Sequence, residues 1–585
     1  MDGKLDRCYG GRVMTRSPLP AAVLAASIAC AAACGSKAPT APPPPPAGAP
    51  AWWSAEGEAL GALPETTNAR SRRVMTADEC ACCPATHPES SALLDAKQRD
   101  VSPYNLWKAT MMGLSSRDPY FLAVFRHELD EKPGAAATLE KTCTRCHAPM
   151  GAVEQEARGS HVRYEDLLGG TSPNQVVARE GVACPLCHQI KPDGLGTPAS
   201  FTGGYVIGKE RLIFGPHENP FTRPMEMHVA YTPTHAPHME TSAVCGTCHT
   251  VITHALDADG NAVGPAFYEQ APFLEWQASS FNDEGNPTGK PCQGCHMPAV
   301  DDDGEPIVTA LSVRPGGLTP RTLKGRHVFA GGNAFMLRLL AQDPKWTGAA
   351  VTADELNAQA DRDEAMLGRA ATLQVKPRRE GAALVFDVEI GNESGHKLPT
   401  GFPSRRVVVH AKVTAPDGAV VFESGRLDEF GRLVGRAGQQ LDAAGVMLPH
   451  RDVIDREVQA QVYEAVMGNA ESKIADVLID ATHFLKDNRL LPRGFDPAHP
   501  AAEGIRPVGT EADANHGATD TITYRVEAAP AGSRVEVELL YQSIRPSELE
   551  VLARHPNPAA LKLFALMKSS DKRSTRLHVV EATAP

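Results

Sequence analysis

The sequence predicts an α+β protein: a mainly helical and irregular, cysteine-bearing domain, followed by an antiparallel β-sandwich-like domain with helical insertions. Three observations carry this. No cysteine follows Cys295 in a chain of 585 residues, although 14 precede or include it. The 50 glycines and 48 prolines favour turn-rich backbone between short elements. From about residue 372 the apolar residues change from helical spacing to alternation, the mark of strands with one buried face.

Residues 1–34 read as an export signal. Arg12 and Arg16 precede a short apolar run from Ala21 to Ala29, which is too short to span a bilayer. The run ends in Ala-Ala-Ala-Cys34-Gly-Ser, which resembles a bacterial lipobox with Cys34 as the lipidated residue. Residues 35–51, with five consecutive prolines, then form an extended tether of the kind an anchored protein needs. The expected location is the periplasm or cell surface, anchored by lipid to a bacterial membrane. The net charge of −12 argues against nucleic acid as a partner, and no phosphate-binding glycine loop or dinucleotide fingerprint appears.

The domain from residue 52 to 345 holds the chemistry. Eight cysteines fall in four copies of one pattern: Cys143-Thr-Arg-Cys146-His147, Cys184-Pro-Leu-Cys187-His188, Cys245-Gly-Thr-Cys248-His249 and Cys292-Gln-Gly-Cys295-His296. Thiols two residues apart reach the two vinyl groups on one haem edge and form thioethers. The next residue, histidine, then lies beneath the iron as its proximal ligand. Zinc ribbons also use C-x-x-C, but zinc has no need of a histidine after every pair. The pattern therefore implies four haem c groups, with His147, His188, His249 and His296 as proximal ligands. Cys80 and Cys83 repeat the thiol spacing, yet Pro84 stands where the histidine belongs, and a fifth haem there is left open.

Outside these pairs, Ser102-Pro-Tyr-Asn-Leu-Trp107, Arg117-Asp-Pro-Tyr-Phe121, Cys146-His-Ala-Pro-Met-Gly151 and Arg179-Glu-Gly-Val-Ala-Cys184 resemble multihaem c-type cytochromes related to the tetrahaem carrier of ammonia oxidisers. So do Glu269-Gln270 with Glu275-Trp276, Cys292-Gln-Gly-Cys-His-Met-Pro298 and Gly395-His-Lys-Leu-Pro-Thr-Gly401. The similarity spans most of residues 76–585 and implies a periplasmic or cell-surface electron carrier. Such proteins usually have a full motif at the first site, from which Pro84 departs.

A second axial ligand must come from elsewhere in the chain. His327 lies in Gly-Arg-His-Val-Phe-Ala-Gly-Gly-Asn, whose glycines allow close approach to a flat cofactor. His396 sits in a polar turn where a surface histidine is the default, and the family resemblance is what marks it as a ligand. His228, His235 and His238 precede Cys245 closely and compete for a neighbouring iron, while His127 follows a helical run. Met111 and Met112 are better read as core.

Residues 346–371 are expected to connect the domains through a helix that Thr352 or Asp354 caps. The third region, 372–585, carries strand-like runs at 382–390, 406–413 and 533–540, with helical insertions near 475–484 and 558–567. The functional expectation is extracytoplasmic electron transfer with other redox proteins as partners. The rival is a multihaem oxidoreductase that acts on a small nitrogen or sulfur compound at one open iron.

Overall fold

Alternation and capping account for most of the elements in the computed structural model, which describes residues 46–513 and 515–585. The export segment, Cys34 and most of the proline-rich tether lie outside the described residues. Residues from Pro50 to Pro585 form one unit.

The first part is helical and irregular, as its glycines and prolines require. α1 (Pro119–Glu131) starts with Asp118 accepting a hydrogen bond from the Tyr120 N–H, and α2 (Ala136–His147) follows it. α3 (Cys184–Cys187), α4 (Ala243–Gly246), α5 (Pro272–Gln277) and α6 (Cys292–His296) are one- or two-turn helices. The little sheet present includes a parallel pair, 212–215 with 232–235, and an antiparallel hairpin, 251–256 with 262–270. The hairpin turns at Asp257–Asn261, where Gly260 has φ +82°.

α7 (Ala334–Gln342) packs against α8 (Ala353–Leu367). Thr352 caps α8 in a full capping box: its Oγ1 accepts from the Glu355 N–H at 3.2 Å, and the Glu355 carboxylate accepts from the Thr352 N–H at 2.9 Å.

Two sheets follow. One has the order β5-β8-β2-β1, where β1 is Ala371–Glu380, β2 Ala383–Asn392, β5 Val453–Ile454 and β8 Thr519–Val526. The other has the order β7-β6-β3-β9-β10, with β4 (Val420–Ser424) also paired to β3. Here β3 is Arg406–Thr414, β6 Gln461–Gly468, β7 His483–Asp487, β9 Arg534–Gln542 and β10 Thr575–Thr583. Every pairing is antiparallel except β5 with β8. Phe386, Val388 and Ile390 of β2 meet Val407, Val409 and Ala411 of β3, with Val535, Val537 and Leu539 of β9, in one apolar core. Two helices, α9 (Pro546–Arg554) and α10 (Pro558–Lys568), lie between β9 and β10.

Residues 475–484 depart from the expected helix. They hold a single 3-10 turn, Leu478–Asp480, and then enter β7. The physical reason is a tertiary capture: the buried Glu128 carboxylate of α1 accepts from the N–H groups of Leu478 (2.6 Å) and Ile479 (3.0 Å). Pairing of β7 with β6 removes the remaining freedom.

Candidate metal centres

Each C-x-x-C-H segment occupies about one turn of helix. Residues i, i+3 and i+4 share a face of such a turn, so both thiols and the imidazole point the same way. α2 ends on Cys143–His147, α3 presents Cys184 and Cys187 with His188 as its C-cap, α4 holds Cys245, and α6 is the whole fourth motif. All eight of these cysteines, and Cys80 and Cys83, are free of disulfides.

The turns lie against one another. The Cys146 thiol lies beside that of Cys248, and the Cys245 thiol beside that of Cys292. Cys187 lies close enough to Cys248 to feel its charge, as Cys80 does for Cys184. The third motif thus lies near the first, the second and the fourth, although up to about a hundred residues separate their sequences.

His147, His188 and His296 are half-buried, and His249 reaches the surface. Desolvation lowers the pKa of His147 and His296 to about 4, and that of His188 below its ordinary value. Three of them direct Nδ1 at a backbone carbonyl: His147 at Ser115 (3.1 Å), His188 at Phe214 (2.6 Å) and His296 at Ala330 (2.6 Å). A carbonyl only accepts, so Nδ1 carries the proton and Nε2 keeps its lone pair for a metal. Phe121 stacks on His147 at 3.8 Å with planes 1° apart, which fixes the ring without covering its Nε2 edge.

Two of these rings face a second imidazole. His188 and His327 have ring centroids 6.1 Å apart and planes at 23°, and His296 and His396 are 6.1 Å apart at 18°. A metal–nitrogen bond of about 2 Å, plus about 1 Å from nitrogen to ring centre, puts two trans imidazoles about 6 Å apart. The observed spacing leaves room for one metal atom between each pair, and the free thiols lie beside it. The residues fit haem c. Burial lowers His327 to about 3, and His396 also lies below its ordinary value. Among the described residues, no second histidine ring is stacked against His147 or His249 in this way.

His396 is placed by a buried ionic clamp. Lys397 Nζ lies 2.6 Å from Asp487 Oδ2, and both side chains are fully buried. Arg489 Nε reaches Asp487 Oδ1 at 2.7 Å, and its Nη1 lies 3.5 Å from Glu275 Oε1. Glu275 Oε2 accepts from the Lys397 N–H (3.0 Å) and the Thr400 hydroxyl (2.5 Å). The His396 carbonyl accepts from Asn392 Nδ2 at 2.7 Å, and its Nδ1 donates to the Lys397 carbonyl at 3.0 Å. Glu275 belongs to α5 in the helical part and Asp487 to β7. The clamp therefore holds a loop of the β part against the fourth motif. His327 is held differently. A Cβ at Gly325 would lie 2.9 Å from the Met297 carbonyl, so glycine is needed there for close chain packing, while a Cβ at Gly331 would meet nothing within 4 Å.

The other sequence candidates are less engaged with the motifs. His238 Nε2 donates to the Ile190 carbonyl at 2.9 Å and its ring meets Phe214 edge-on. His228 and His235 are exposed, and His127 is buried on α1 beside a small cavity with Glu128 and Phe402. None of the four stacks on a motif histidine among the described residues. At the first cluster, Cys80 packs with Met75, Met225 and Tyr231, the Pro84 carbonyl accepts from the Tyr104 N–H, and His87 Nδ1 accepts from the Glu89 N–H at 3.2 Å.

Sequence reasoning missed Lys397, Asp487 and Arg489 as a clamp, because no local pattern links residues 90 positions apart. The carbonyls of Ser115, Phe214 and Ala330 carry no sequence signal at all.

One further cluster, His450 with Asp513 and Asp520, brings its ligand atoms within 4.8 Å of one another. Its tautomer is wrong for a metal. His450 Nδ1 accepts from Gln461 Nε2 (2.8 Å) and Asn488 Nδ2 (3.0 Å). Both amide orientations are set by backbone donors, Arg451 N–H to Gln461 Oε1 and Glu464 N–H to Asn488 Oδ1. Nε2 must then carry the proton it gives to Asp513 at 3.0 Å. The motif histidines have the opposite arrangement.

No family model matches the chain, and no curated protein does. Among solved structures, the chain is similar to a penta-heme cytochrome c552 from Thermochromatium tepidum. The identity is 17% and the TM-score 0.48, with 88% of this chain and 99% of that one covered.

Proposed function

We propose that this chain is a multihaem c-type cytochrome that carries electrons outside the cytoplasm, with at least four covalently bound haems. The observation that carries the reading is the pairing of motif histidines with distant ones: His188 with His327 and His296 with His396, each pair spaced for one metal atom. Cys143/Cys146, Cys184/Cys187, Cys245/Cys248 and Cys292/Cys295 would hold the groups by thioethers, with the adjacent histidines as proximal ligands. When bound, haem supplies a one-electron Fe(III)/Fe(II) couple. The chain's own contribution is to shield the imidazoles in part, hold Nδ1 of His147, His188 and His296 protonated and keep the attachment turns close together around the third.

Transfer between neighbouring sites needs no bound substrate, so the partners under this reading are other redox proteins. Export and a lipid anchor at Cys34 belong to the same proposal. Among the described residues no helix is long and apolar enough to cross a membrane. A pyridine haemochrome count with intact mass on the matured protein tests the reading, and also counts any haem at Cys80 and Cys83. A colourless protein with unmodified thiols at the four pairs overturns it.

The rival, an oxidoreductase of a small nitrogen or sulfur compound, is favoured by one observation: His147 and His249 have no stacked second histidine among the described residues. Electron paramagnetic resonance of the oxidised protein separates the two. Low-spin signals alone favour the carrier, and a high-spin signal with turnover favours the enzyme.

A further inference from the structure

The His296 imidazole is tied to the loop that carries His327. Its Nδ1 donates to the Ala330 carbonyl at 2.6 Å, and the Ala330 N–H donates back to the His296 carbonyl at 3.3 Å. The other side of the same loop is held by α8. Gln359 Nε2 donates to the Val328 carbonyl at 2.7 Å and to Asp363 Oδ1 at 3.0 Å. Asp363 Oδ1 also accepts from the Gly331 N–H at 3.1 Å. Gln359 and Asp363 are 1% and 3% exposed, one helical turn apart. Between these anchors Phe329 takes a left-handed backbone, φ +40°, which a bulky side chain adopts only where its neighbours are fixed.

The Ala330 carbonyl and the Gly331 N–H belong to one peptide group. Two hydrogen bonds in series therefore join His296 Nδ1 to the Asp363 carboxylate through a single amide. Negative charge on the N–H side of an amide moves electron density towards its carbonyl oxygen and strengthens the bond accepted there. The imidazole then holds its Nδ1 proton more loosely and becomes a better electron donor at Nε2. The chains from His147 and His188 stop at the carbonyls of Ser115 and Phe214. Among the described residues, neither Ser116 nor Gly215 gives its N–H to a carboxylate. The charged groups beside Asp363 on α8 are Arg362 and Glu364, and Tyr541 of β9 packs its hydroxyl on Gly332 of the loop. Arg326 of the loop is engaged with Asp302, and Arg338 of α7 with Asp361 and Glu364. Burial outweighs the hydrogen bonds and Arg362 and raises the Asp363 pKa to about 7.

We propose that Asp363 is a positioning residue that tunes the fourth site: its carboxylate acts through the Ala330–Gly331 peptide group on His296 and lowers the reduction potential of that site alone. Gln359 holds the carboxylate in place and fixes the loop at Val328. The proposal rests on the multihaem reading and adds which iron is set apart from the others and by which residue.

The test uses the full holoprotein and a redox titration followed by electron paramagnetic resonance. The signal that Cys292→Ser/Cys295→Ser removes marks the fourth site. Asp363→Asn keeps an Oδ1 acceptor for the Gly331 N–H and Gln359 and removes only the charge. At about pH 9 its fourth site should shift towards the reduced form by at least about ten-fold, about 59 mV for one electron, with its spin state unchanged. The other sites should stay within about two-fold of the parent. At about pH 5, where the parent's carboxyl is protonated, the two proteins should agree within about two-fold. Equal potentials at about pH 9, a shift of the same size at both pH values, or an equal shift at every site overturns the proposal. Should the variant fail to mature, the parent decides. With the carboxyl carbon isotopically labelled in aspartate alone, which leaves haem propionates silent, one resonance should titrate at about pH 7. By linkage it should titrate at a lower pH in the oxidised than in the reduced protein. A set of aspartates whose pKa values are all independent of redox state overturns the proposal. A failed haem count in the parent would instead overturn the multihaem reading, whatever the behaviour of Asp363.

Discussion

His296 and His396 face each other across 6.1 Å with their planes 18° from parallel, although a hundred residues separate them. One belongs to an attachment motif in the helical part, and the other to a loop leaving β2. Under the multihaem reading, the β part would supply a metal ligand as well as a neighbouring fold.

Removing that second imidazole should leave attachment intact and change only the iron's surroundings. For His396→Ala the expected result is an unchanged haem count, with one low-spin signal replaced by a high-spin one in electron paramagnetic resonance. His327→Ala should do the same at a different site. The double variant should show both changes additively, since each histidine serves a separate pair.

The clamp behind His396 should matter for both stability and ligation. Asp487→Asn leaves Lys397 and Arg489 buried with only Glu275 to balance them, which should cost about 3–5 kcal/mol in chemical denaturation. Glu275→Ala frees the Lys397 N–H and the Thr400 hydroxyl from their shared acceptor. A high-spin fraction at the fourth site with unchanged haem content is expected. A purely structural role would lower stability and leave the spin state alone.

Attachment should fail site by site. Cys184→Ser/Cys187→Ser should lower the intact mass by one haem, and the remaining motifs should stay loaded, because each turn carries its own thiols and imidazole. Loss of all haems in this variant would mean that attachment is cooperative.

The pH dependence of the β part should be governed by His410, which lies between Glu538 (3.0 Å) and Glu423 (3.1 Å) on neighbouring strands. Burial pulls its pKa down, but the two carboxylates outweigh this and raise it from 6.5 to about 9. Because the folded value lies above the unfolded one, the stabilisation is complete below about pH 6.5 and fades as pH rises through about 9. It amounts to at most about 3 kcal/mol. Urea midpoints should fall between pH 7 and 10 in the parent protein, and the slope should flatten in His410→Gln.

Much of the fold was legible in residue order. Alternation marked β2, β3 and β9, and Thr352 or Asp354 as a cap marked the start of α8, where the structure gives the cap to Thr352. Residues 475–484 were misread as a longer helix: only the turn Leu478–Asp480 forms, and the acceptor that fixes its first N–H groups, Glu128, lies about 350 positions earlier. α9 was missed: its nine residues sit between the strand signal of β9 and the helical run at 558–567.

The same division holds for the candidate site. Four C-x-x-C-H segments were readable from the sequence alone, because the spacing that serves two vinyl groups and an iron is covalent and local. Which distant histidine faces which motif was decided only by tertiary structure. An axial partner needs a direction and a distance, and those come from the Lys397–Asp487 clamp and from the close packing at Gly325, neither of which leaves a pattern along the chain.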